Sequence, residues 1–268
     1  MLSKDEKDTT DNVDPEVNKF FFNTPKLWDE LTANQDRFQK QSKKILDIVG
    51  KIFPTYSISL LDVGCGTAGH FDLYTDRGIK CTGVDLNPNM IKYARRKYPE
   101  TEFYIQDMKD LTFQEDFQVI TCLNSTFLYN ITNKEIISTL KSFQKALVSE
   151  GILIIDVSEP VTYLLHCGRK NFKKGYTYEI STNKISISVQ ISLEFLPKKQ
   201  IYKGTRTFKR KNDEEILTKE PIKYRILGVR ELKFFLEQCG FNILNVELPK
   251  DKRDLIPRRI SLVAQIQE

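Results

Sequence analysis

The spacing of apolar positions changes rhythm twice along the chain. Over residues 20–53, Leu27, Leu31, Phe38, Ile45, Ile48 and Val49 recur at intervals that predict amphipathic helices, closed by Pro54. A short apolar run at 58–63 then reads as a buried strand that stops at a glycine turn. From there strands and helices alternate. A helix is expected over 69–77, then a strand in "IKCTGVDL" and a helix in "NPNMIKYARRKY", opened by Asn87 and Pro88. "TEFYIQDM" and "DFQVITCLN" read as strands. "NKEIISTLKSFQKALVSEG" reads as a helix ended by Gly151, and "GILIIDVS" as a fifth strand. Such alternation predicts a parallel sheet with helices on both faces. The unbroken apolar run at 152–157 fits a strand buried on both sides.

Past Pro160 the period falls to two. "YTYEISTNKISISVQISLEFL" and "QIYKGTRTFKR" alternate polar and apolar residues around a turn at "LPKKQ", and "PIKYRIL" follows as another strand. This block reads as antiparallel strands with one wet face. Helical spacing returns in "GVRELKFFLEQCG", capped by Gly240, and "FNILNVEL" and "RRISLVAQIQE" close the chain as strands. The expected layout is a polar, disordered tail over 1–17, a core built from 18–160 and 226–268, and an antiparallel insertion over 161–225.

Composition narrows the function without choosing it. A chain of 268 residues, 40% of them hydrophobic, supports a real core. Its N-terminus lacks the apolar centre of a secretory signal, so a cytoplasmic setting is expected, with no membrane segment. Five scattered cysteines without C-x-x-C spacing, and two distant histidines, suggest neither a zinc site nor a disulfide framework. The net charge of +5 is concentrated in the insertion, where residues 166–225 carry 15 Lys and Arg against 6 Asp and Glu.

The turn "GCGTAG" at 64–69 fits the G-x-G-x-x-G pattern of nucleotide-binding turns. Alone it is compatible with a dinucleotide, another adenosine-containing ligand, or no ligand. Three acids at successive strand ends change that balance. Asp62 precedes the turn, where it would repel a pyrophosphate and attract a cation. Asp85 ends the second strand, placed to accept from ribose hydroxyls. Asp107 ends the third, placed to accept from an adenine amine. A phosphate ligand is hard to reconcile with this set; S-adenosylmethionine, with its sulfonium and ammonium groups, fits it.

"LLDVGCGTAGHF", "GVDLNPNMIKYARRKYP", "FYIQDMKDL" and "FQVITCLNSTFLYN" together resemble the successive motifs of class I S-adenosylmethionine-dependent methyltransferases. The resemblance covers residues 44–158 and the segments after Gly228. It implies an α/β, Rossmann-like, doubly wound seven-stranded sheet whose last strand is antiparallel, here with an antiparallel β insertion after the fifth strand. It implies that Asp62, Gly64, Cys65 and Gly66 border the methionine part of the cofactor, with Leu123 and Asn124 close by. Asp85 would take the ribose and Asp107 the adenine amine, with Leu86, Met90 and Met108 packed on the ring. Trp28, with Phe20, Phe21 and Phe22, partly matches an N-terminal aromatic motif that closes over the cofactor.

The insertion resembles that of small-molecule N-methyltransferases, the glycine N-methyltransferase-like and amino-sugar N,N-dimethyltransferase-like enzymes, in which it walls the substrate. This favours methyl transfer to a small-molecule amine by in-line displacement, resting on orientation and exclusion of water. Asn124, Tyr129 and His166 are the candidate catalytic residues; Asn124, Ser125 and Tyr129 would orient the acceptor, and Asp156 or Glu159 would face an ammonium substrate. The chain lacks the paired prolines and aromatic of base N-methyltransferases after the fourth strand. The alternatives are a small-molecule O-methyltransferase, which needs a general base, and an enzyme on RNA or protein. For RNA, Lys198, Lys199, Lys203, Arg206 and Lys209–Lys211 would meet phosphates while Tyr176, Tyr178, Tyr202 and Phe208 stack on bases. A homodimer is compatible with the sequence.

Overall fold

A computed structural model describes residues 25–33, 37–160, 173–181, 186–212, 215–248 and 259–267. Helices α1 (Pro25–Ala33) and α2 (Arg37–Ile52) precede β1 (Ser59–Val63), α3 (Phe71–Thr75), β2 (Lys80–Asp85), α4 (Pro88–Lys97), β3 (Glu102–Ile105) and β4 (Phe117–Cys122). A 3-10 turn (Thr126–Tyr129), α5 (Asn133–Ala146) and β5 (Leu147–Ser158) complete the alternating half. The period-two region forms β6 (Lys173–Ser181), β7 (Ser186–Leu196), β8 (Ile201–Arg210) and β9 (Ile216–Arg225). The chain then returns through α6 (Val229–Gln238), β10 (Phe241–Glu247) and β11 (Arg259–Ile266).

The larger sheet runs β10-β11-β5-β4-β1-β2-β3. Its β1–β5 pairings are parallel, while β11 lies antiparallel to both β5 and β10. Order reverses between β1 and β4, where an open α/β sheet leaves a crevice at the carboxyl ends of its strands. Residues 152–157 are all buried, as a strand covered on both faces requires. Two clusters, one on each side of the sheet, supply the burial. One gathers Leu61, Phe113, Phe143, Leu153 and Phe235; the other gathers Leu60, Phe71, Phe103 and Ile154 with α2 residues Ile45 and Val49.

The smaller sheet, β6-β7-β8-β9, is antiparallel throughout. Its inward row packs Ile187, Val189, Ile191, Tyr202, Phe208 and Ile222, and Leu27 of α1 rests against it. Strand β9 also packs on the 3-10 turn after β4, which brings this sheet over the end of the parallel one.

Several boundaries differ from expectation. The helix expected at 69–77 has only the five residues of α3. Gly151 does not end α5: the helix stops at Ala146, and Leu147 already pairs with Phe117 before the register shifts to Val119–Ile152. Glu150, at φ 60°, makes the detour. The last strand of the smaller sheet starts at Ile216 rather than at Pro221. Helix α5 begins in a full capping box, in which Thr132 and Glu135 exchange side-chain and backbone hydrogen bonds. No helix among the described residues is long and apolar enough to cross a membrane. The tail at 1–17, Phe20–Phe22 and His166 lie outside the described residues.

Candidate functional site

The carboxyl ends of β1–β4 open into a cavity of about 400 Å³. Its wall includes Trp28, Asp62, Gly64, Cys65, Gly66, Asp85, Leu86, Met90, Asp107, Met108, Leu123, Asn124 and Tyr129, so every described residue expected to border the cofactor is brought together there, whereas Ser125, Asp156 and Glu159 do not line it.

The turn after β1 is shaped for close approach. Gly64 has φ 73° and Gly66 φ 55°, in the left-handed region. A Cβ on Gly64 would lie 2.4 Å from Thr126 Cγ2, whereas one on Gly66 would meet nothing within 4 Å. Gly64 therefore permits the contact with the 3-10 turn, and Gly66 leaves backbone bare toward open space. The Cys65 thiol is buried in the same wall.

Each acid sits in its own environment. Asp85 accepts from Gly66 N–H and Asn87 N–H, both at 2.9 Å. Burial pushes its carboxyl above the ordinary value of 3.8, against the pull of those two amides. Beside it, Asn87 caps α4 through Oδ1, while its buried Nδ2 has no hydrogen-bond partner among the described residues. Asp62 is buried; Oδ1 accepts from Thr121 Oγ1 at 2.7 Å and Oδ2 lies 3.7 Å from His70 Nδ1. Asp107 is more open and pairs with Lys109 Nζ at 3.1 Å. Two of the three acids thus have a basic residue beside them, Lys109 and His70.

After β4 the backbone is strained. Asn124 (φ 55°) and Ser125 (φ 69°) are consecutive non-glycine residues in the left-handed region. Their amides are tied down by Asp156: Ser125 N–H donates to its carbonyl at 2.9 Å and Asn124 N–H to its Oδ1 at 3.2 Å. Ser125 Oγ and Ser158 Oγ lie 2.9 Å apart. Arg259 on β11 pairs with both carboxylate oxygens of Asp156, through Nη2 and, at 2.9 Å, through Nε. Asp156 is thus 8% exposed and engaged by Arg259 rather than open to an ammonium group, which corrects its expected role.

A second cavity, of about 320 Å³, shares Asn124, Tyr129, Tyr178 and Arg206 with the first and continues beneath the smaller sheet to Ser158, Tyr224 and Arg259. Arg206 stands in the inward row of β8, opposite Glu220 of β9. Its Nη1 donates to Glu220 Oε1 at 3.0 Å, and Glu220 is fully buried. Burial opposes the Arg206 charge, but Tyr129, Glu220, Tyr178 and Tyr224 outweigh it and push its titration above the ordinary arginine value. Three more cations of this sheet are paired, Lys203 with Glu194, Arg210 with Glu215 and Lys211 with Glu179. Tyr202 and Phe208 face the core and offer no surface to a base.

Sequence reasoning missed His70, Phe38 and Asn87 in the wall. A signal for Arg206 as a wall residue existed: it is in phase with Tyr202 and Phe208, so a period-two strand that buries those aromatics must point Arg206 inward too.

With this geometry in hand, comparison with known proteins is informative. Residues 60–151 match the family described as a methyltransferase domain, which spans β1 to the start of β5. Two curated relatives that resemble this part of the chain are amino-sugar enzymes. The dTDP-4-amino-2,3,4,6-tetradeoxy-D-glucose N,N-dimethyltransferase of Saccharopolyspora spinosa is 34% identical over 98 residues, 37% of this chain and 39% of that one. The dTDP-3-amino-3,4,6-trideoxy-alpha-D-glucopyranose N,N-dimethyltransferase of Streptomyces venezuelae is 28% identical over 119 residues, 44% of this chain and 50% of that one. The match thus spans half or less of either relative. The solved structure of an S-adenosylmethionine-dependent methyltransferase from Clostridium acetobutylicum superposes with a TM-score of 0.73 at 18% identity, covering 90% of this chain and 97% of that one. The chain therefore shares the fold of that protein.

Proposed function

We propose that the protein is an S-adenosylmethionine-dependent methyltransferase that acts on an amine of a small molecule. The observation that carries the reading is a cavity with an acidic wall at three parallel strand ends, joined through Asn124 and Tyr129 to a second cavity under the smaller sheet.

The residues fit the donor. Gly66 leaves open backbone, Asp85 is an acceptor held by two amides, and Asn87 Nδ2 is a buried donor with no partner among the described residues. Ribose hydroxyls satisfy both kinds of group. Asp62 and the turn at Gly64 would hold the methionine end; Asp107 and Met108, with Leu86 and Met90, would hold the adenine. The bound cofactor supplies a methyl group on a positively charged sulfur, open to displacement. The protein's part is to bind, aim and exclude water. Trp28, on α1, walls the donor cavity, while Tyr178 and Arg206 close it from the smaller sheet. Residues 161–225 then serve as the substrate wall, and Asn124, with its strained backbone, and Tyr129 orient the acceptor between the two cavities.

An amine acceptor is supported by the state of two carboxylates next to the second cavity. A neutral amine attacks with its own lone pair, whereas a hydroxyl needs a base within reach. Glu220 is bonded to Arg206 and Asp156 to Arg259, so these two carboxylates are engaged. The names of the two curated relatives, both N,N-dimethyltransferases of amino sugars, support the same class. The test is to incubate the protein with labelled S-adenosylmethionine and a panel of amino sugars, amino acids, polyamines, phenols and RNA. Label in a small-molecule amine is expected; label in RNA or in phenols alone would overturn the reading.

A further inference from the structure

The second cavity has a one-sided charge pattern. Among the described residues its wall holds two guanidinium groups, Arg206 and Arg259, and no carboxylate. The acids that pair with them, Glu220 and Asp156, are buried and do not line it. Asp156 is further engaged by Gln41 of α2, whose Nε2 donates to Oδ1 at 3.2 Å. Arg259 still has hydrogens to give. Its Nε and Nη2 go to Asp156 and, at 3.4 Å, to Ser125 Oγ, whereas Nη1 makes no hydrogen bond among the described residues. Beside it, Ser125 Oγ and Ser158 Oγ lie 2.9 Å apart and share one hydrogen bond. One hydroxyl hydrogen is left over, whichever of the two donates. Such a wall repels an ammonium ion. It offers an amine no charge attraction unless another part of the same molecule is anionic. Guanidinium forks match the oxygens of carboxylates and phosphates.

Resting on the reading of the two cavities above, we propose that the methyl acceptor is an amine that also bears a carboxylate or a phosphate, and that Arg259, Arg206 and the Ser125–Ser158 hydroxyls receive this oxyacid group in the second cavity. The amine then lies toward Asn124 and Tyr129, which line both cavities. Arg206 lines both as well. Its charge disfavours the protonated amine, the form that has no lone pair to give. The same wall thus binds the molecule by its acid and keeps its nitrogen reactive.

The experiment is calorimetric titration of the full chain, with and without S-adenosylhomocysteine, using acetate and inorganic phosphate as probes. The probe that binds more tightly tells a carboxylate from a phosphate. Arg259→Lys keeps a cation for Asp156 and gives up the fork. Arg206→Gln combined with Glu220→Gln removes both charges of the buried pair at once, and serves should the first variant not fold. Each is expected to weaken the bound probe by about tenfold. Binding of neither probe, or binding that the folded variants leave unaltered, would overturn the oxyacid site. Methyl transfer from labelled S-adenosylmethionine is then compared within two pairs, glucosamine 6-phosphate with glucosamine and tyrosine with tyramine. Preference for the acid-bearing member is expected in the pair that matches the bound probe. Equal labelling within both pairs would overturn the proposal and leave the amine reading standing. A protein that binds a probe but not S-adenosylhomocysteine would keep the oxyacid site and overturn the methyl-donor reading instead.

Discussion

The two sheets treat charge in opposite ways. The parallel sheet carries carboxylates to its strand ends and leaves them oxygens that face a cavity: Asp62 Oδ2 has no hydrogen bond in the described structure, and Asp85 is held by amides alone. The antiparallel sheet has the larger formal charge, yet it pairs Lys203, Arg206, Arg210 and Lys211 with its own acids. Four of the cations in the smaller sheet are thus engaged within it, while Asp62 and Asp85 keep oxygens toward the cavity at the parallel strand ends, in a protein that is basic overall.

The largest way to break this contrast is at the pair of Arg206 with the fully buried Glu220 in the smaller sheet. Glu220→Ala leaves a buried guanidinium without this carboxylate and is expected to lower the unfolding free energy by about 3–5 kcal/mol, read by urea denaturation. A loss near zero would mean that Arg206 is solvated and the pairing incidental. Next comes Asp85→Ala, which should weaken S-adenosylhomocysteine by about a hundredfold, near 3 kcal/mol for two charge-assisted hydrogen bonds. The same carboxyl predicts a pH effect. Its ionised form is the acceptor, and burial raises its titration above 3.8. Affinity is then present above the raised value and lost as pH falls through it, at a higher pH than an ordinary aspartate would give. Titrations across that acid range should show the fall in the unaltered protein and a flat profile in Asp85→Ala.

A smaller effect sharpens the contrast away from the site. Thr132→Ala removes the α5 cap and should cost about 1 kcal/mol. Burial works against the Glu135 charge, but Thr132 and Lys109 outweigh it and lower its titration. The stability it contributes is present above the ordinary glutamate range and is lost as pH falls through the lowered value; thermal melts against pH follow it. At the bottom, Lys211→Ala breaks an exposed pair and should change stability by no more than about 0.5 kcal/mol. It should leave turnover unaltered, and a marked loss of RNA affinity in that variant would restore the basic face as a binding surface.

What was legible in the sequence was local. The strand ends, the glycine turn and the Asn87–Pro88 helix start are each decided within a few residues, so the donor wall could be assembled from motifs alone. The start of β5 was not legible, because "ALVSEG" continues the apolar spacing of α5 and Gly151 offers an attractive stop. The fate of Asp156 was hidden because its partner Arg259 is 103 residues away. Gln41 and His70 meet Asp156 and Asp62 only after the parallel sheet has formed. For the smaller sheet, alternation announced two faces without saying which is inward. That choice depends on what the sheet covers, so Tyr202 and Phe208 passed for base-stacking residues while belonging to the core.

Cys65 gives the acidic wall one more meaning. Its thiol stands in the donor cavity, and burial pushes its titration well above the usual thiol range, with Asp85 and then Asp62 adding to the rise. At neutral pH it is a thiol, not the thiolate that acts as a nucleophile. On the proposed reading, the carboxylates that attract an alkylating cofactor also keep the neighbouring sulfur in its less nucleophilic form.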